Sequence, residues 1–134
     1  MSEAQKAESV NEFVILGRLP GLNEYTKACR SHWSKGAKMK RQVEEDIGWH
    51  ILAARGAHKL HPVSGPVSLS ISWHESDRRR DLDNIVSAKK FILDAMQKMG
   101  IIPNDDREHV RAISDEIVDD DKDFVVVRIY DVKE

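Results

Sequence analysis

The chain has 134 residues, 40% hydrophobic and 33% charged, with a net charge of −2. That describes one soluble domain with a single core, and no apolar run approaches the roughly 20 residues that span a bilayer. Cys29 is the only cysteine, which excludes an internal disulfide and a cysteine-rich zinc site and fits a reducing cytoplasm.

Residues 1–11 (MSEAQKAESVN) are polar and lack the basic and apolar regions of a secretory signal. They are expected to form a disordered tail, with the folded domain over residues 12–134. Residues 13–19 (FVILGRL) are rich in β-formers and predict a strand, which Pro20-Gly21 ends in a turn. Residues 19–36 read as a long basic loop carrying Tyr25 and Trp33, and loops of that length are more often functional than idle. A helix is expected from about Ala37 to just before Gly56. Its apolar face is Met39, Val43, Ile47, His50 or Ile51, and Ala54, with Glu44, Glu45 and Asp46 on the other side.

After a connector rich in Pro and Gly at residues 58–66, residues 67–73 (VSLSISW) alternate strictly. Val67, Leu69, Ile71 and Trp73 fall on one face and serines on the other, the pattern of a half-buried strand. A second helix is expected over about 84–99, with Ile85, Ala88, Ile92, Ala95 or Met96, and Met99 as its stripe. Gly100 stands just past its end and Pro103 beyond. Strands are expected at 110–118 and 124–132, joined as a hairpin through the acidic residues 119–123. The order is β-α-β-α-β-β, an α/β (α+β) domain with a small mixed sheet and two main helices.

Charge is unevenly placed. Residues 26–43 hold Lys27, Arg30, Lys35, Lys38, Lys40 and Arg41 and no acid. Arg78, Arg79 and Arg80 form a second basic cluster, whereas six of the nine residues 115–123 are acidic. Local basic patches matter more than the total charge for holding phosphates, so both clusters are candidates for contacts to a DNA backbone.

The second cluster opens the stretch RRRDLDNIVSAKKFILDAMQKMGIIPNDD (78–106). Asp81 and Asp83 lie one residue apart at the end of the expected strand, where alternate side chains share a face. Two carboxylates held close favour a divalent cation, and oxygen donors favour Mg²⁺ or Mn²⁺ over zinc. Such an ion polarises a scissile phosphate and lowers the pKa of an attacking water. An ordinary D-x-D, however, is a turn or a helix cap, and Asp83 is a candidate cap for the helix that follows. On a continuous helix Asp83, Ser87, Lys90 and Asp94 fall in one arc, with Lys89 about 120° away. Lys90 is then the lysine better placed to stabilise charge on a phosphate, unless it only pairs with Asp94. The six histidines show no zinc-ligand spacing, and no Ser/His/Asp motif is present.

This stretch closely resembles the signature of RusA-type Holliday junction resolvases. The matching features are the D-x-D-N at 81–84, Lys90 four residues before Asp94-Ala95-Met96, Gly100, and Asp105. The loop LPGLNEY resembles that family's N-terminal loop. The resemblance implies a small homodimeric, Mg²⁺-dependent (Mn²⁺ possible) endodeoxyribonuclease that resolves four-way DNA junctions in recombination and repair, of a kind often encoded by prophages. It implies that Asp81, Asp83 and Asp105 are the essential acids and metal ligands, and that Lys90 is the essential lysine. Lys90 follows Asp83 by seven residues where the family's best-known lysine follows by about four; both steps return to one helix face. Lys89 and Asp106 are the neighbouring alternatives. The rival readings are a non-catalytic junction-binding dimer and a less selective metal nuclease acting on flaps or single strands. A helix of about 16 residues is about 24 Å long, so Asp105 and the Asp81–Asp83 pair belong to opposite ends of it. Either residues 100–105 run back along the helix, or two subunits share each site; the sequence favours sharing.

Overall fold

In the computed structural model, which describes residues 10–132, the chain folds as β1 (Glu12–Leu16), α1 (Leu22–Ser31), α2 (Trp33–Gly56), β2 (Val67–Glu75), α3 (Leu82–Val86), α4 (Lys89–Lys98), β3 (Val110–Asp119) and β4 (Phe124–Asp131). The expected tail lies outside the described residues as far as position 9. Asn11 belongs to the fold: it is buried, and its side-chain amide exchanges bonds of 3.2 and 3.0 Å with the backbone of His61.

The four strands form one mixed sheet in the order β1-β4-β2-β3, with β2–β3 parallel and the other two pairs antiparallel. The alternation in β2 does what the sequence predicts: Val67, Leu69, Ile71 and Trp73 are buried. Register places Val125, Val127 and Ile129 of β4 beside them, and Phe13 and Ile15 of β1 beyond. On this face lie Ile47 and Ile51 of α2 and Ile92 and Met96 of α4, all fully buried. At about 25 cal/mol per Å² of apolar area, this shared layer is the main stabilising term of the domain.

Three expectations are corrected. First, β3 and β4 are not a hairpin, because β2 lies between them. Crossing β2 means covering two strand spacings, about 9.5 Å, which the four residues 120–123 can span when extended. The acids hold that crossing in place. Asp123 accepts from the backbone N–H of Ser76 at 2.8 Å, and the Asp120 amide donates to the Glu75 carbonyl at 3.0 Å. Second, the expected loop 19–36 is mostly helix, and α2 begins at Trp33 rather than near Ala37. His32, extended at φ −163, separates α1 from α2 and caps the second, accepting from the Ser34 N–H at 3.2 Å. Third, Glu44 is buried, not solvated, because α4 packs over it and brings Lys98 onto its carboxylate.

The expected helix 84–99 is two helices, interrupted at Ser87 and Ala88, where hydrogen bonds tighten to i,i+3 steps (Ala88 to Ile85, Phe91 to Ala88). Its C-terminus is as expected. Gly100 takes φ +74, its N–H donates to Gln97, and the Ile101 N–H donates back to the Met96 carbonyl at 2.8 Å. That is a Schellman end, which glycine adopts without steric cost. Ile101 and Ile102 then bury fully and turn the chain back.

Candidate functional site

Asp81 and Asp83 do not sit on a strand, since β2 ends at Glu75; the shared-face argument from strand alternation does not apply. They lie at the start of α3 instead, Asp81 at the N-cap position and Asp83 in the first turn. Asp81 makes no side-chain cap bond. Both carboxylates are exposed and have no ion pair or side-chain hydrogen bond among the described residues. The other acids of the stretch, Asp94, Asp105 and Asp106, are engaged, as is Asp77 just before it. Asp77 holds Arg79 in a two-pronged contact at 3.0 and 3.2 Å, and that guanidinium pulls its carboxyl down to about 2. Asp106 holds His109 at 2.6 Å and accepts from the Glu108 N–H; the imidazole contact is the main reason its pKa is lowered.

The two candidate lysines separate cleanly. Lys89 bonds Asp115, whose other oxygen accepts the Trp73 indole N–H at 2.9 Å. Asp115 is thereby an acid on the core face of β3, neutralised from α4, and Lys89 is a structural cation. Lys90 projects outward and lies 3.3 Å from both Asp94 and Asp105. Asp94 first and Asp105 second raise its pKa, so Lys90 is a permanent cation rather than a base. The return of the chain after Gly100 is what brings Asp105, not Asp106, to the first turn of α4. Residues 100–105 therefore do run back along the helix, and the reach argument for sharing between subunits loses its premise. Lys90 contacts Asp94 and Asp105, not Asp83. Among the described residues no three His, Cys, Asp or Glu side chains stand as a group that could hold a metal ion.

Asn84 has a role that the sequence did not reveal. Its Oδ1 accepts from the Asn23 N–H at 2.9 Å, at the N-terminal turn of α1. Gly21 packs so close that an added Cβ would lie 2.5 Å from that oxygen. The acid-bearing helix α3 is thus locked to the start of the basic helix α1. The only sequence signal is Asn84's place directly after the D-x-D; its partner is 61 residues away in the chain.

The two basic clusters differ. Each arginine of the second has an acid: Arg78 lies 3.8 Å from Asp119, Arg79 is clamped by Asp77, and Arg80 bonds Glu75 at 2.8 Å. The Arg80 and Glu75 side chains are 8% and 6% exposed, and Arg80 also donates to the Leu19 carbonyl at 3.4 Å. Arg80 is a structural residue in this geometry. In the first cluster Lys40 bridges Glu44 and Asp94 at 3.8 and 3.4 Å. Lys27, Arg30, Lys35, Lys38 and Arg41 are exposed and have no ion pair among the described residues. Of the two clusters, the α1–α2 segment therefore carries the unpaired positive charge. His74 is held by Asp120 at 2.9 Å and stacks on Phe124, so it is engaged within the chain. Among the described residues no helix is long and apolar enough to cross a membrane. Neither protein-family models nor curated proteins give a match to this chain.

Proposed function

We propose that this protein is a divalent-metal-dependent endodeoxyribonuclease acting on branched DNA, with the four-way junction as its substrate and a homodimer as its working form. The single observation carrying the reading is the pair Asp81–Asp83: two exposed carboxylates left without partners in a stretch where most other acids are neutralised. Asp81 makes no side-chain cap bond and neither acid has an ion pair among the described residues, and a pure DNA binder gains nothing from free negative charge beside phosphates.

The donor set fits Mg²⁺ or Mn²⁺. Those ions take oxygen ligands, and Mg²⁺ is commonly held by one or two carboxylates with substrate phosphate and water completing the octahedron. Asp81 and Asp83 would hold the ion, with Asp105 as the third acid implied by the resemblance to RusA-type resolvases. When bound, it supplies Lewis-acid polarisation of the phosphate and a more acidic water. The chain's own residues do the rest. Lys90, kept protonated by Asp94 and Asp105, offers a fixed positive charge for the phosphorane-like oxygens. The exposed cations of α1 and α2 hold the backbone, and Asn84 keeps those helices in register with the acids. The homodimer is the working form that the resemblance to RusA-type resolvases implies.

The test is incubation with an end-labelled four-way junction, with Mg²⁺ and with a chelator. Paired cuts that need the metal are expected. Tight binding without cutting under any divalent ion would replace the enzyme with a junction-binding dimer, and cutting of flaps or single strands in preference would replace the substrate.

A further inference from the structure

Trp33 is 82% exposed, the most exposed of the large hydrophobic side chains. A solvated indole of that kind costs the free protein apolar hydration, and nothing in the fold needs it. Its position is specific. His32 breaks the helical path between α1 and α2, so Trp33 stands at the apex of a bend as the first residue of α2. The His32 ring packs beside it, centroids 5.7 Å apart and planes 29° from parallel. His32 is itself held by Ser34: its Nδ1 accepts from the Ser34 backbone N–H at 3.2 Å and lies 2.8 Å from the Ser34 hydroxyl. The aromatic pair is therefore already partly ordered, which lowers the entropy lost when something stacks on it.

The surroundings select what that something is. Lys27 and Arg30 lie in the last two turns of α1, and Lys35 and Lys38 in the first two turns of α2; all four are exposed and without ion pairs among the described residues. The first turn of α2 carries no acid, and a helix N-terminus favours anions. An apolar protein partner would meet a ring of unpaired cations. A nucleic acid with an unstacked base supplies both halves, phosphates for the cations and a π-face for the indole.

We propose that Trp33, backed by His32, is a base-stacking platform for an unpaired or unstacked base, such as one at a branch point or in a single strand. The platform stands one length of α1, about 15 Å, from the Asn84 contact that ties α1 to the acids. It would thus grip the strand a few nucleotides from the phosphate to be cut. The inference rests on the nuclease reading for its substrate, but it makes a separate claim: the bend reads a base face, not backbone charge.

The experiment uses the full-length protein carrying Trp49→Phe, which removes the other exposed indole and leaves buried Trp73 as background. Three probes are titrated: a 12-nucleotide oligothymidylate, a blunt duplex of equal length, and a four-way junction. Indole emission should be quenched by the single strand and the junction but not by the blunt duplex. Trp33→Ala should weaken the first two about tenfold, the magnitude of one lost stacked base, while leaving duplex affinity and the salt slope as they were. Trp33→Phe should recover most of the loss. Equal affinities for Trp33→Ala and its parent on all three probes, with junction cleavage intact, would overturn the platform and leave the nuclease standing. A parent that binds none of the probes would overturn both. Loss of the dimer in Trp33→Ala by sedimentation would reassign Trp33 to self-association and also overturn the proposal.

Discussion

Single residues carry the chemistry, and each has a distinct expected signature. Asp83→Asn keeps the size of the side chain and removes its charge. Cleavage should fall by on the order of a hundredfold or more, because several kcal/mol of metal-derived stabilisation go with the ion, while junction binding holds or tightens as repulsion from the phosphates is relieved. Wild-type cutting rates from this variant would end the metal assignment. Arg80 and Arg78, equivalent in sequence, should separate by assay. Arg80→Ala leaves Glu75 as a buried unpaired charge and should cost about 3–5 kcal/mol in chemical denaturation. Arg78→Ala should leave the denaturation midpoint where it was and act on DNA affinity alone; a similar stability loss in both would show that burial does not distinguish them. Lys90 has a pKa raised by Asp94 and Asp105. Its folded value exceeds its unfolded one, so its contribution to stability is complete below about pH 10 and disappears as pH rises through the folded value. The side chain is largely exposed, so screening limits the effect to about 1 kcal/mol at most. Urea midpoints of wild type and Lys90→Gln should differ by a constant amount from pH 6 to 9 and converge as pH rises through the folded value. A difference that grows with alkalinity would contradict the ion pairs.

At the level of elements, the two helices flanking His32 are where salt dependence should reside. Each cation touching a phosphate contributes about 0.9 to the slope of log affinity against log salt. Replacing Lys35 and Lys38 with alanine should flatten that slope by up to about 1.8. Replacing Lys40 should not, because Lys40 is committed to Glu44 and Asp94; its loss should show in thermal stability instead. A slope unchanged by the double variant would make this segment a solvated surface. The D-x-D stretch also behaves as an element here. The break at Ser87 and Ala88 separates the acids from the lysines, so the arc expected for one continuous helix is bent. The Gly100 turn then redirects Asp105 onto Lys90.

At the scale of the whole molecule, the proposed site needs a further carboxylate beside the Asp81–Asp83 pair. Within one chain Asp105 pairs with Lys90. A two-fold dimer would let Asp105 of a second copy supply that carboxylate, and paired sites related by two-fold symmetry suit paired cuts in opposed strands. Mixing inactive Asp83→Asn and Asp105→Asn proteins should restore nicking, since a mixed dimer then contains one intact site. If the mixture stays inactive after subunit exchange is verified, each chain holds its own ligands.

What the sequence determined by itself is the strongly periodic pattern, though not every local boundary, since α1 and the break at Ser87 and Ala88 were not legible in it. Alternation in residues 67–73 set the core face of β2, the 3.6-residue stripe set the buried face of α4, and the glycine at 100 set where that helix stops. These depend on contacts within a few residues, where pattern and conformation are tied by sterics and burial. The grouping of Arg78–Arg80 and of residues 26–43 as basic clusters was equally legible. Tertiary structure alone decided the partners. Arg80 became structural because Glu75 lies beside it at the end of β2, and Lys89 because Asp115 faces it from β3. Asn84 became a cap for α1 across 61 residues, and β3 was parted from β4 because β2 pairs with both. A charge's availability depends on what is packed against it, and that is a long-range fact which no local pattern encodes.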